Sequence, residues 1–182
     1  VIIVIVLAIV CLASIGAQII HSEVLSKHLK AHIIPIKTTK ANNGFDDLTP
    51  LKEILENKKI IGMGEATHGT ADFFQMKHRM FEFLVEEMGY RIIVMEVQFG
   101  AGQAINDYIL NGKGTLENCI DALMQFTVTS TETLEMLQWM KDFNIGKDEK
   151  DQIKFYGYDM QMIDGNLNQI LPYLQKVNSK AV

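Results

Sequence analysis

Apolar positions along the chain fall into two kinds of pattern, short continuous runs and longer stretches with helical spacing. Three continuous runs, at Ile60–Gly64, Arg91–Glu96 and Ile153–Asp159, predict strands. The stretches between and after them repeat apolar residues three and four apart, which predicts helices. These helices cover residues 71–88, 101–110, 116–125, 131–143 and 165–177, and a shorter one runs from Asp46 or Asp47 to residue 57.

Strands that alternate with helices predict an α/β fold with a parallel, doubly wound sheet and flanking helices. The consecutive apolar residues of Arg91–Glu96 indicate a strand buried on both faces, as in parallel sheets. Ligands of such sheets bind beyond the carboxyl ends of the strands. Because the chain stops at Val182, soon after the third strand, we expect an incomplete domain.

The first 17 residues are typical of a secretory signal peptide. Residues 1–15 are almost wholly apolar, and the small residues Gly16 and Ala17 follow, so cleavage after Ala17 and export to the periplasm or medium are expected. The alternative is an uncleaved membrane anchor, although a span needs about 20 apolar residues. An N-terminal segment then covers residues 18–44, and the main domain covers residues 45–182.

Composition excludes several classes of function. The net charge of -5 provides no basic surface for nucleic acid. Removal of the leader takes away Cys11 and leaves Cys119 as a single thiol, so no internal disulfide can form. The chain has no Gly-x-Ser-x-Gly elbow and no paired cysteines or His-x-x-x-His. We therefore expect neither a standard serine hydrolase nor a metal or other cofactor.

Each predicted strand ends in an acid: Glu65, Glu96 and Asp159. Because the carboxyl ends of parallel strands meet at one edge of the sheet, the three acids are expected to border the same crevice. The alternative is that they are solvated strand ends or helix caps.

The first strand end carries the clearest candidate chemistry. Glu65 and His68 stand three apart on a loop bounded by Gly64 and Gly69, which allow a sharp turn and close approach to a ligand. A carboxylate beside a histidine fixes the tautomer of the imidazole and raises its basicity. Such a pair can act as a general base on water. The alternative is a histidine that only makes a structural hydrogen bond.

The helix after this loop adds charged candidates. Lys77 falls on its apolar face, four residues from both Phe73 and Phe81. A lysine there requires a partner or a polar cavity, and the acids at the strand ends are the nearest candidates. The alternative is a side chain that extends along the edge of the core. His78 lies beside Lys77, whereas Arg79 is interpreted as a surface ion pair.

The order of these motifs resembles the erythromycin esterase family. Gly64–Thr70 is followed by Phe73-Phe74, by Lys77–Met80 and, further on, by Phe155–Gln161. The resemblance implies hydrolysis of a carboxylic ester or lactone, such as a macrolide, with His68 as general base and Glu65 as its support. It also implies that no metal is tightly held. The residues expected to contact the small-molecule substrate are Lys77, His78, Glu96 and Asp159.

Members of that family are longer and carry a second histidine-bearing segment downstream of the third strand, which residues 160–182 do not contain. The alternative function is therefore a catalytically inactive, truncated relative that serves as a binding module or is a gene remnant. The sequence leaves the oligomeric state open, and a membrane is expected to be involved only through the leader.

Overall fold

The computed structural model describes residues 20–30, 33–123, 128–161 and 163–177. The chain divides into two compact units, residues 1–37 and 38–182. In the first unit, residues 20–30 form helix α1, all of whose residues are exposed. The expected leader at residues 1–17 lies outside the described residues. Among the helices described, none is both long enough and apolar enough to cross a membrane.

The second unit contains six helices and two strands among its described residues. In chain order these are α2 (Leu51–Leu55), α3 (Ala71–Met88), β1 (Ile92–Gln98), α4 (Phe99–Asn111), α5 (Leu116–Leu123), α6 (Thr131–Asn144), β2 (Lys154–Asp159) and α7 (Asp164–Val177). The helices expected from α3 onward and two of the three expected strands are thus confirmed. Gly89 ends α3 with a φ of 77°, a left-handed conformation that favours glycine.

The two strands pair in parallel, as the alternation of strands and helices predicted. Their register runs from Ile92 opposite Lys154 to Met95 opposite Gly157, and shifts before Gln98 meets Asp159. Helices flank this sheet, which confirms the α/β class.

Burial alternates along β1. Ile93 and Val97 are buried, whereas Ile92 and Val94 on the opposite face are 54% and 52% exposed. The expectation that both faces of β1 are buried is therefore wrong for the described part of the chain, where the helices pack on one face.

The expected strand at Ile60–Gly64 does not form. Residues 60–65 have no regular secondary structure and pair with neither β1 nor β2. A strand needs a neighbour because its N–H and C=O groups must be paired, and Ile60 is instead 91% exposed. The apolar run is still used locally, since Ile61 packs against the small cluster that contains Leu48, Phe83 and Leu84.

The main core lies between the buried face of the sheet and helices α3 to α6. Its buried residues include Phe74, Phe81, Ile93, Val97, Ile105, Leu137, Met140 and Phe155. Helix α4 approaches β2 so closely that a Cβ on Gly102 would lie 3.2 Å from the backbone nitrogen of Gly157. Glycine at residue 102 therefore permits this packing distance.

Two asparagine side chains bind the backbone of β2 and of the residue before it. Asn106 of α4 accepts from the Phe155 N–H at 3.0 Å and donates to the Phe155 carbonyl at 2.8 Å. Asn144 of α6 does the same for Ile153, at 2.7 Å and 2.9 Å. These amides replace a neighbouring strand, because they satisfy groups that would otherwise be buried without partners.

Arg79 is buried, so its interpretation as a surface ion pair is wrong. Its side chain is 1% exposed and pairs with Asp47 through both terminal nitrogens, at 3.0 Å and 2.5 Å. The same nitrogens donate to the carbonyls of Thr38 and Gly44. These four hydrogen bonds, here called the Arg79 fork, hold residues 38–47 against α3. They explain why residues 38–44, which the sequence assigned to an N-terminal segment, fold with the second unit.

Replacement of Arg79 by methionine should destabilise the protein by about 3–5 kcal/mol, because Asp47 would remain buried without its cation. Urea unfolding followed by circular dichroism measures the difference. Lys52→Met is the matched control, since Lys52 pairs with Glu87 at the surface, where both side chains are about 40% exposed. That change should cost less than about 1 kcal/mol. Equal losses in the two variants would contradict the role of the Arg79 fork.

Candidate functional site

The loop between residues 60–64 and α3 carries the first candidate residues. Its turn closes at Gly69, whose φ of 73° lies in the left-handed region. The hydroxyls of Thr67 and Thr70 lie 2.7 Å apart and hydrogen bond across the turn. His68 therefore projects from a short, internally bonded turn directly before the first residue of α3, Ala71.

Glu65 lies at the centre of a group that it forms with His68 and Lys77, here called the Glu65 group. One carboxylate oxygen lies 2.5 Å from Nδ1 of His68, and the other accepts a hydrogen bond from the ammonium of Lys77. Lys77 also lies 5.1 Å from the centroid of the Phe74 ring, in cation–π contact. The structure thus brings together three of the residues predicted from the sequence, and Glu65 is the partner expected for Lys77 in the apolar stripe.

The ionised carboxylate of Glu65 fixes the tautomer of the neutral histidine. Burial raises the pKa of Glu65, but hydrogen bonds from Lys77 and His68 outweigh it and hold the pKa below its usual value. An ionised carboxylate can only accept, so Nδ1 of His68 must carry the proton. Nε2 is then the basic nitrogen. Because the His68 side chain is 58% exposed, water can reach this nitrogen.

Glu96 lies on β1, and Asp159 lies at the end of β2. Glu96 is exposed on the open face of β1 and makes no hydrogen bond or ion pair with the Glu65 group within the part of the chain that the structure describes. Asp159 ends β2 and accepts from the N–H groups of Met160 and Gln161, at 2.7 Å and 3.2 Å. A shared acidic crevice formed by the three strand ends stays a prediction.

His78 lies on a different face of α3 from Lys77. It is 3% exposed, and its ring centroid lies 5.5 Å from that of Trp139 on α6. Nε2 of His78 is 3.5 Å from a carboxylate oxygen of Glu82 without forming a hydrogen bond. Burial lowers the pKa of His78 to about 4 and raises the pKa of Glu82. The expected contact of His78 with substrate also stays a prediction.

The sequence analysis missed the pairing of His78 with Glu82 and its contact with Trp139. A spacing of four residues, which places two side chains on one helix face, was the available signal.

Within residues 20–30, 33–123, 128–161 and 163–177, no three histidine, cysteine, aspartate or glutamate side chains are grouped as a metal site requires. Cys119 is buried, and burial raises the pKa of its thiol to about 11, so it is a poor nucleophile.

Comparison with known proteins places the chain in a family. The sequence profile of the erythromycin esterase family matches residues 85–182, more than half of the chain. The chain belongs to the erythromycin esterase family. The matched residues run from the end of α3 through β1 and β2, and the loop of Glu65 and His68 precedes them.

Two curated relatives of this family member extend the likeness toward the N-terminus. "Putative hydrolase YbfO" of Bacillus subtilis (strain 168) is 31% identical over 169 residues, which cover 89% of this chain and 36% of the relative. "Erythromycin esterase type II" of Escherichia coli is 29% identical over 145 residues, or 80% of this chain and 33% of that protein. The chain therefore spans about a third of the length of the curated relatives it matches.

Solved structures agree with the fold. A crystal structure of a Bacillus cereus protein has a TM-score of 0.75 and 34% identity, and the match covers 87% of this chain and 38% of that one. An erythromycin esterase mutant in an open conformation has a TM-score of 0.55 and 19% identity, with 72% of this chain and 32% of that one covered. The second match supports the fold alone.

Replacement of Lys77 by methionine should raise the pKa of Glu65. The variant loses both the hydrogen bond and the positive charge that stabilise the carboxylate, while the burial that disfavours ionisation remains. Carboxyl ¹³C shifts of Glu65, followed by NMR during a pH titration, measure the change. The exposed Lys113 provides a matched control in Lys113→Met, which should leave the titration unchanged. An unaltered midpoint in Lys77→Met would show that Lys77 does not determine the charge of Glu65.

The buried histidine should make stability sensitive to acid. His78 has a pKa of about 4 in the folded protein, against 6.5 ordinarily, so the unfolded chain binds the extra proton as pH falls between these values. The free energy of unfolding of wild type should fall by on the order of 1–3 kcal/mol as the pH drops through that range. His78→Phe should lose less, as measured by urea unfolding at pH 6.5 and 4.5. The raised pKa of Glu82 acts in the opposite direction in both proteins, so only the difference between their slopes reports His78. Parallel slopes would contradict this assignment.

Proposed function

We propose that this chain contributes the general base of a hydrolase that acts on carboxylic esters or lactones. The observation that carries the proposal is the arrangement of Glu65 between Nδ1 of His68 and the ammonium of Lys77. It provides an oriented imidazole whose side chain is 58% exposed, so that Nε2 in the neutral tautomer can accept a proton from water.

In the proposed reaction, Nε2 of His68 removes a proton from a water molecule whose oxygen attacks the ester carbonyl carbon. The carbon–oxygen double bond becomes a tetrahedral oxyanion. When that intermediate collapses, the bond to the leaving oxygen breaks and the imidazolium returns the proton to the leaving alkoxide. The net result is addition of one water molecule, which yields a carboxylic acid and an alcohol.

Glu65 and Lys77 support this step without direct participation. The carboxylate of Glu65 holds the tautomer and stabilises the imidazolium when it forms, as an oriented acid does beside a catalytic histidine. Lys77 keeps that carboxylate ionised. The limited exposure of both side chains, 14% for Glu65 and 20% for Lys77, makes their attraction stronger than it would be in bulk water.

The relatives support the same class of chemistry. The two curated relatives are named an erythromycin esterase and a putative hydrolase. An alignment over 89% of the chain necessarily extends over residues 64–70. A macrolide lactone is therefore a reasonable first substrate, and a simple aryl ester tests ester hydrolysis more generally.

His68→Asn should lower turnover of 4-nitrophenyl butyrate or of a macrolide lactone by about 10²–10⁴-fold, because a positioned general base contributes that much. The asparagine preserves the polarity of the exposed loop, so circular dichroism should be unchanged. His21→Asn is the matched control, because His21 is an exposed histidine on α1 in the other compact unit. Its turnover should equal that of wild type.

The outcomes separate the two functions considered. Equal turnover in wild type and His68→Asn would reject His68 as the general base. Absence of turnover in wild type, together with saturable binding of the lactone, would reject hydrolysis by this chain and favour a non-catalytic binding module.

A further inference from the structure

Helix α1, at residues 20–30 of the first compact unit, has an apolar side and a polar side. Successive residues of an α-helix differ in direction by about 100°, which places the four large aliphatic residues of α1 on one half of its circumference. All four are between 48% and 64% exposed, and they are Ile20, Val24, Leu25 and Leu29. An exposed apolar surface of this kind marks a site of contact with another molecule or with a membrane.

The other half of α1 carries its charged residues and serines, which are Ser22, Glu23, Ser26, Lys27 and Lys30. His21 and His28 complete the apolar half, and each imidazole joins an apolar ring to a polar edge. Helices that lie in the interface of a membrane are divided in the same way, with lysines on the polar side and aliphatic residues on the other.

The charge of the first unit is opposite to that of the chain as a whole. Residues 1–37 contain three lysines and one glutamate, whereas the complete chain has 17 basic and 22 acidic residues and a net charge of -5. A positive segment in an otherwise acidic protein favours contact with an anionic surface. The apolar character continues beyond the helix, because Ile33, Ile34 and Ile36 are exposed as well.

A lipid surface fits these features better than a second copy of α1 does. Helices that pair in a coiled coil share a narrow apolar seam, in which two of every seven residues are apolar. The apolar side of α1 instead covers about half of the circumference. In addition, residues 1–19, directly ahead of α1, contain no charged side chain, and a run of this length without charge favours a lipid environment.

We propose that α1 lies along the surface of a membrane that contains anionic lipid. The apolar half enters the boundary between the headgroups and the acyl chains, and the lysines of the other half stay at the level of the lipid phosphates. This contact belongs to the first unit, whereas the Glu65 group belongs to the second. The proposal is therefore independent of the proposed hydrolysis.

Tryptophan introduced on each side of α1 measures its orientation. Val24→Trp places an indole on the apolar half, and Ser26→Trp places one about 200° away on the polar half. Each full-length variant is mixed with phosphatidylcholine–phosphatidylglycerol vesicles whose brominated acyl chains quench nearby indole fluorescence. Wild type, whose only tryptophan is Trp139 in the second unit, provides the background. Val24→Trp should be quenched several-fold more strongly than Ser26→Trp.

This comparison uses two positions in one helix, so it does not depend on how strongly residues 1–19 bind the vesicles. Equal quenching at the two positions would show a helix surrounded by lipid. Absence of quenching at both would show a helix that is in water or against a second copy of the chain. Either result would overturn the proposal.

A double charge reversal tests the preference for anionic lipid. The full chain with Lys27→Glu and Lys30→Glu is sedimented with phosphatidylglycerol-containing vesicles and with pure phosphatidylcholine vesicles. The ratio of the two partition coefficients should fall by about tenfold or more, because each lysine near an anionic surface strengthens binding. The matched control combines Lys113→Glu with Lys150→Glu, which makes the same change of charge at exposed residues of the second unit. Equal losses in both variants, or no loss in either, would contradict the role of α1.

Discussion

The structure of the second unit depends on three consecutive basic residues of α3. Because successive helical residues differ in direction by about 100°, Lys77, His78 and Arg79 lie on three different faces. Each meets an acid: Glu65 in the preceding loop, Glu82 one turn further along α3, and Asp47 in the segment before α2. The helix thereby holds the loop of His68 and residues 38–47 in place.

The three pairs differ in burial, and burial determines what each can do. The pair of Arg79 and Asp47 is almost fully buried and hydrogen bonded at both oxygens, so it is structural. Lys77 and Glu65 are partly exposed beside an exposed imidazole, an arrangement suited to catalysis. His78 and Glu82 are buried without a hydrogen bond between them. Burial lowers the pKa of His78 and raises the pKa of Glu82, and both shifts favour the neutral side chain.

Local pattern predicted most of this architecture, and the failures have a common cause. Helical spacing predicted α3 to its last residue. The glycine-bounded loop predicted the pair of Glu65 and His68, and the apolar face of α3 predicted an acidic partner for Lys77. The strand at residues 60–64 failed because pairing depends on a neighbouring strand, which local pattern does not contain. The interpretation of Arg79 as a surface ion pair was wrong for a related reason. Its partner Asp47 is 32 residues away in sequence, and only the tertiary fold brings the two together.

The exposure of His68 bears on how a substrate could be selected. Glu65 hydrogen bonds to His68 and to Lys77, so contacts within residues 65–77 orient the imidazole. Selectivity is different, because discrimination between esters requires contacts on several sides of the substrate. The side chain of His68 is 58% exposed and is held by the carboxylate of Glu65. In the proposed reaction, the orientation of the base and the selection of the substrate are therefore separable properties.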